Sequence, residues 1–251
     1  WSGMRTYRFM DWMATNGSTQ RAWTDRPRPT DARFTDRGVP VETIIALCNR
    51  QGVNPWICVP HQADDDYVRN LAAAFRDGLD PSLKVWVEYS NEVWNGGFPQ
   101  AAYAEQRARE LGLGPADRPW EGAAMYYSKR SVEIFTLFEQ AMGTRQRMVA
   151  VLAWQAANAW TAENIVLPSF NAGQRADVLA IAPYLTFTPS PGGAPDANVV
   201  ATWTLDQLMT HVETQVFTEA TTWMRDQKGV ADAYGLELVG YEGGQHLVGV
   251  G

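Results

Sequence analysis

An α/β fold built around a parallel sheet is what this chain predicts, and three observations predict it. Short segments dense in Val, Ile, Leu, Trp and Tyr alternate with longer segments of helical periodicity, the rhythm of successive βα units. The long loops, "MATNGSTQRAWTDRPRPTDARFTDRG" and "TFTPSPGGAPDANVVATW", follow strands rather than helices, as where strand ends build a working face. A length of 251 residues with 45% hydrophobic content suffices for one large core, and α/β barrels fill that length as a single domain. Together these indicate a TIM (β/α)8-type barrel.

The elements follow in order. Strands are expected over 4–11, 55–60, 85–91, 148–154, 178–184 and 236–242, where apolar residues run nearly continuously or alternate. Helices are expected over 41–50, 64–77, 101–111 and 121–141, the last two parted by "GLGPADRP". Asp64, Asp65 and Asp66 form an acidic first turn that suits a helix N-terminus better than calcium, since the alternating ligands and Gly of a calcium loop are missing. A long helical stretch over 205–233 is expected to break at Gly229. Six strands are two short of a closed barrel. The expectation is therefore one barrel domain over 1–251 that carries strands two to seven and is shortened at both ends.

Composition narrows the function. With 21 basic against 28 acidic side chains the net charge is −7, a poor match to nucleic acid or an anionic membrane surface. No run of 18 apolar residues is present to form a membrane span. Cys48 and Cys58 suit neither a disulfide framework nor a metal site and read as buried thiols. Eleven Trp residues suit clefts that stack on flat ligand faces.

Chemistry gathers at the expected C-terminal strand ends, where parallel barrels place it. The first strand ends in Arg8 and Asp11, the second in His61, the third in Asn91 and Glu92 with Trp94 close behind. The fourth ends in Gln155, the fifth in Tyr184, the sixth in Glu242 with His246 following. Glu92 and Glu242 come from strands that would face each other across a barrel mouth. Paired carboxylates flanking a cleft are what glycosidic bond cleavage uses, one as proton donor and one as ionised nucleophile. Glu88 shares the inward parity of Glu92 and is expected one layer lower, hydrogen-bonded to a cation such as Arg8.

"VEYSNE" followed by a later "YEGG" resembles the glycoside hydrolases of clan A, the retaining (β/α)8 enzymes that include cellulases, mannanases and xylanases. The resemblance implies an Asn–Glu pair ending strand four, with Glu92 as acid/base and Asn91 as its substrate-binding neighbour. It implies Glu242 as nucleophile ending strand seven, with Arg8, His61 and Tyr184 as substrate-side partners from strands two, three and six. Trp94, Gln155 and His246 are further candidates for substrate contact. The text "RFMDW" and "WICVPHQADDDYV" resembles large bacterial proteins with appended carbohydrate-binding modules, here outside this chain.

The expected function is thus a retaining glycoside hydrolase acting on β-linked poly- or oligosaccharide by double displacement, with a carboxyl–carboxyl separation of roughly 5 Å. No metal or organic cofactor is called for. A polymeric substrate implies secretion. The alternative is a barrel that binds carbohydrate without cleaving it. An aldolase or metal-dependent hydrolase fits less well, because no Lys falls at a strand end and the three His are widely separated.

Overall fold

The computed structural model describes residues 3–248. Six apolar segments form strands: β1 (Thr6–Arg8), β2 (Asn54–Val59), β3 (Val85–Tyr89), β4 (Met148–Ala153), β5 (Val178–Ile181) and β7 (Glu237–Gly240). They pair in chain order, every neighbour parallel, into one curled sheet that makes a half-barrel. The inner four strands are almost wholly buried, whereas β1 and β7 are half-buried and each pairs on one side only among the described residues.

Alternation assigns the two faces. Ile57, Val59, Val85, Val87, Tyr89 and Leu152 point outward into the large core shared with the helices. Trp56, Val151, Ala153, Val178, Ala180 and Tyr241 point inward and form a second, smaller core on the concave side. This is the period-2 pattern of a strand buried on both faces. In register, Cys58 lies opposite Glu88 and Glu88 opposite Val151, so one layer of the concave face mixes a thiol and an acid with apolar neighbours.

Four helices cover the outer face: α1 (Val41–Gln51), α2 (Asp65–Gly78), α3 (Pro99–Glu110) and α4 (Pro119–Met142). Asp64 is the N-cap of α2, its side chain accepting from the Tyr67 amide at 2.8 Å, which accounts for the acidic run as a helix start. Helices α3 and α4 both begin on Pro, two residues earlier than the sequence pattern suggests, because a first-turn residue needs no amide donor.

Two expectations are corrected. The stretch after Thr204 does not break at Gly229. It runs as α5 (Leu205–His211), a π-turn (Val212–Val216) and α6 (Phe217–Ala233), with the irregularity upstream of the glycine. Buried Gln227, Val230 and Ala231 anchor the helix around Gly229, and one exposed glycine costs only about 1 kcal/mol. The loop after β5 is also not structureless: β6 (Leu185–Phe187) pairs in parallel with β8 (Gln245–Leu247) as a small second sheet.

Candidate active site

The site starts with an apolar wall that must hold a charge. Glu88 is 1% exposed, at the level where a lone carboxylate is costly. It is satisfied by Arg8, whose Nε and Nη2 donate to the two Glu88 oxygens at 3.0 and 2.9 Å. The Trp56 indole donates to Oε2 at 2.7 Å and the Cys58 thiol at 3.4 Å. Burial pushes the Cys58 thiol well above its ordinary value and Glu88 adds to this against Arg8, so the sulfur remains a donor. A buried bidentate pair of this kind is costly to break, about 3–5 kcal/mol when one partner is removed.

The remaining Arg8 donors reach upward into the layer above. Nη1 donates to Glu242 at 2.9 Å, and Nη2 also donates to the Asn91 side-chain oxygen at 2.8 Å. Its guanidinium lies 4.8 Å from the Tyr241 ring centroid and 5.7 Å from that of Trp56, so aromatic faces carry the part of the cation that carboxylates do not touch. One arginine thereby joins a buried structural acid to a carboxylate at the mouth.

Glu242 is half-buried, and its second oxygen accepts from the Tyr184 hydroxyl at 2.9 Å. The Tyr184 pKa is pushed up to about 12, by burial first and then by its bond to Glu242 and the charges of Glu242 and Glu92. The hydroxyl therefore stays protonated and donating. Glu92 is held differently. The Tyr241 hydroxyl donates to Oε1 at 2.9 Å and the Asn95 amide to Oε2 at 2.9 Å, both neutral groups. Burial, followed by the charge of Glu92, raises the Tyr241 pKa, so it too remains a donor.

Backbone geometry aims the third strand end. Ser90 and Glu92 both have positive φ, 58° and 41°, on either side of Asn91. Left-handed conformations at non-glycine residues cost of order 1–3 kcal/mol and cluster at functional sites. The Ser90 amide still pairs with the Val59 carbonyl at 2.8 Å, so the strand ends there and the turn then swings Glu92 over the mouth. Asn91 is fixed from both ends: its oxygen accepts from Arg8 and its amide donates to the Asn16 side chain at 3.0 Å. Gln100 secures this, donating to both Asn16 and the Asn91 carbonyl.

Of the expected residues, Arg8, Asn91, Tyr184 and Glu242 thus join in one hydrogen-bonded network, and Glu92 meets it through Tyr241, whose ring lies against Arg8 and whose hydroxyl donates to Glu92. His246 stays exposed on β8 and packs on Tyr184 at 5.9 Å between ring centroids, at the rim. Trp94 and Gln155 bond to neither carboxylate. They line a neighbouring cavity of about 230 Å³ beside Trp120, Trp154 and Asn158. His61 does not join the layer. After β2 the chain turns at Pro60–Ala63, and the imidazole packs edge-on to Tyr103 at 5.1 Å, in a separate cavity of about 500 Å³ with Tyr126, Arg107 and Arg130.

Sequence reasoning missed Tyr241, Asn95, Asn16 and Gln100. Tyr241 shares inward parity with Val239, a readable signal. Asn95, three residues after Glu92 in the same turn, carried a weaker one. Nothing in the sequence marks Asn16 or Gln100, which meet across 84 positions. No protein-family model, curated protein or solved structure matches this chain.

Proposed function

We propose that the chain is a retaining β-glycoside hydrolase, with Glu242 as nucleophile and Glu92 as acid/base. The observation that carries this reading is the unequal support of the two carboxylates. Glu242 has a cationic partner, Arg8, and a tyrosine on its other oxygen. A nucleophile must be aimed, and this pair of donors holds the carboxylate by both of its oxygens. Glu92 has only neutral donors, Tyr241 and Asn95. An acid/base must carry its proton in one step and lack it in the next, which neutral partners permit.

The reaction then runs in two displacements. Glu92 protonates the glycosidic oxygen while Glu242 attacks the anomeric carbon, forming a glycosyl ester and freeing the aglycone. Glu92 next takes a proton from water, which attacks the ester and returns the sugar with its original anomeric configuration. In this reading the six parallel strands correspond to strands two to seven of a (β/α)8 barrel of the clan A type, with β1 and β7 at its two edges among the described residues. The substrate is a neutral β-linked glycan met outside the cell, and carbohydrate-binding modules are the expected attached partners.

The test is incubation with β-glucan, xylan and mannan, mass analysis of the products, and NMR of the anomer first released. Cleavage with retention, lost by at least 1,000-fold in Glu242→Ala while oligosaccharide binding persists, supports the assignment. Inverted product overturns the retaining mechanism. Binding without turnover by the unaltered protein leaves the non-catalytic carbohydrate-binding barrel instead.

A further inference from the structure

Beyond the carboxylate layer, the excursion after β5 builds a second cleft. Strand β6 follows Tyr184 directly, and the chain returns to it through α5. Between the Ala194–Pro195 corner, Trp203 and one face of the α5 helix and its π-turn lies an open cavity of about 690 Å³. Trp203 is half-buried and stacks parallel to Phe187, with 6.2 Å between centroids and 8° between planes. His211 packs against both rings, 4.6 Å from Phe187 and 5.1 Å from Trp203, so the indole is braced.

Along the same cavity runs a polar row. Asp206, Gln207, Thr210, His211 and Thr214 fall at the spacing of one helix face and all line the cavity. A capping box with Thr204 occupies the Gln207 oxygen at 2.8 Å and leaves its amide donors for the cleft. Among the described residues, the Asp206 carboxylate and the Thr210 hydroxyl make no side-chain hydrogen bond within the protein. Among the described residues, no Lys or Arg lines the cavity. A braced aromatic plane beside hydroxyl, amide and carboxylate groups, with no fixed cation, suits a ligand with one apolar face and a rim of neutral hydroxyls. It does not suit phosphate, sulfate or a uronic acid.

The cleft is joined to the site. Phe187 is three residues past Tyr184, on the order of 10 Å along an extended strand. β6 is held in register by β8, with Thr186 opposite His246, which itself packs on Tyr184. β6 therefore leads from the carboxylate layer to the Trp203 cleft, with Tyr184 and His246 on one face of the strand pair and Phe187 on the other. We propose that this cleft binds a neutral pyranose unit of a glycan chain that also spans the carboxylate layer, with Trp203 as the stacking platform and Asp206, Gln207 and Thr210 as hydroxyl partners. The choice of ligand rests on the glycoside hydrolase reading; the geometry of the cleft does not.

The experiment uses the full chain carrying Glu242→Gln, to prevent turnover, and titrates β-1,4-linked glucose, xylose and mannose oligomers of two and six units by calorimetry. For the hexamer that binds, Trp203→Ala is expected to raise Kd tenfold or more and Trp203→Phe to restore most of it, with dimer affinity unchanged. The double variant Asp206→Ala, Thr210→Val spares the aromatic packing and is expected to raise hexamer Kd several-fold. It decides the matter if Trp203→Ala fails to fold. Hexamer affinity unmoved by these variants overturns the cleft, whatever the unaltered protein hydrolyses. Trp203-dependent binding with no hydrolysis by the unaltered protein upholds the cleft and overturns the hydrolase. Binding of none of the oligomers overturns both.

Discussion

Tyr241 ties the two carboxylates of the site together: its ring lies beneath the Arg8 guanidinium that holds Glu242, and its hydroxyl donates to Glu92. Tyr241→Phe keeps the ring and removes the donor. With the Asn95 amide, the hydroxyl is one of two donors that hold the Glu92 carboxylate in place, so losing it frees that carboxylate to rotate. On the hydrolase reading, kcat/KM should therefore fall on the order of tenfold while stability in urea unfolding stays within about 1 kcal/mol of the unaltered protein. An unchanged kcat/KM would mean that the hydroxyl only packs. At this scale much was legible. Alternation along "VWVEYSNE" places Glu88 inward and below Glu92, and Arg8 is the cation that meets it. Tyr241 was not, because its partner lies 149 positions away and parity alone does not say which strand end it will face.

The elements show the same division between local and long-range causes. Helices α1 to α4 follow from apolar periodicity and from starts that can be named, Asp64 before α2 and Pro at the head of α3 and α4. Gly229 illustrates the limit of a local rule. It lies exposed inside α6, with nothing within 4 Å of where a Cβ would stand, so the helix is held there by its buried neighbours despite the glycine. Gly229→Ala should accordingly stabilise the protein by about 0.5–1 kcal/mol, read as a higher urea midpoint at unchanged slope. A lower midpoint would show that the position needs the freedom of glycine. The β6–β8 pair escaped sequence reasoning for a different reason. Each strand is three residues long, too short for a period to register, and they pair across some 60 positions within otherwise polar loop text.

For the whole molecule, a buried titratable group sits outside the half-barrel, between the turn after β2 and α3. His61 is 3% exposed, its Nδ1 has no partner among the described residues, and burial pushes its pKa down from 6.5 to about 4. Between those values the unfolded chain takes up a proton that the folded chain refuses. Stability therefore falls as pH drops from 6.5 towards 4, and above 6.5 His61 adds no pH dependence. His61→Phe keeps an aromatic edge against Tyr103 and should lose less stability over that window, measured by urea unfolding at several pH values. Equal losses in both proteins would assign the acid sensitivity to other groups. The placement of His61 also shows what strand-end reasoning leaves out. The residue does follow a strand, but the turn after Val59 carries it outward to α3 rather than over the mouth.

By itself the sequence determined the alternation of strands and helices, the parallel order they imply, and the two faces of each strand, because these depend on hydrophobic period and on caps a few residues away. It also brought forward Arg8, Asn91, Glu92, Tyr184 and Glu242, because strand ends can be read one strand at a time. Only the tertiary structure decided which donor meets which oxygen. Arg8 and Tyr184 on Glu242, and Tyr241 and Asn95 on Glu92, are pairings fixed by the curl of the sheet and by the left-handed turn at Ser90 and Glu92. Most of these contacts join residues far apart in the chain, and their geometry is set by packing of the whole sheet rather than by any local pattern.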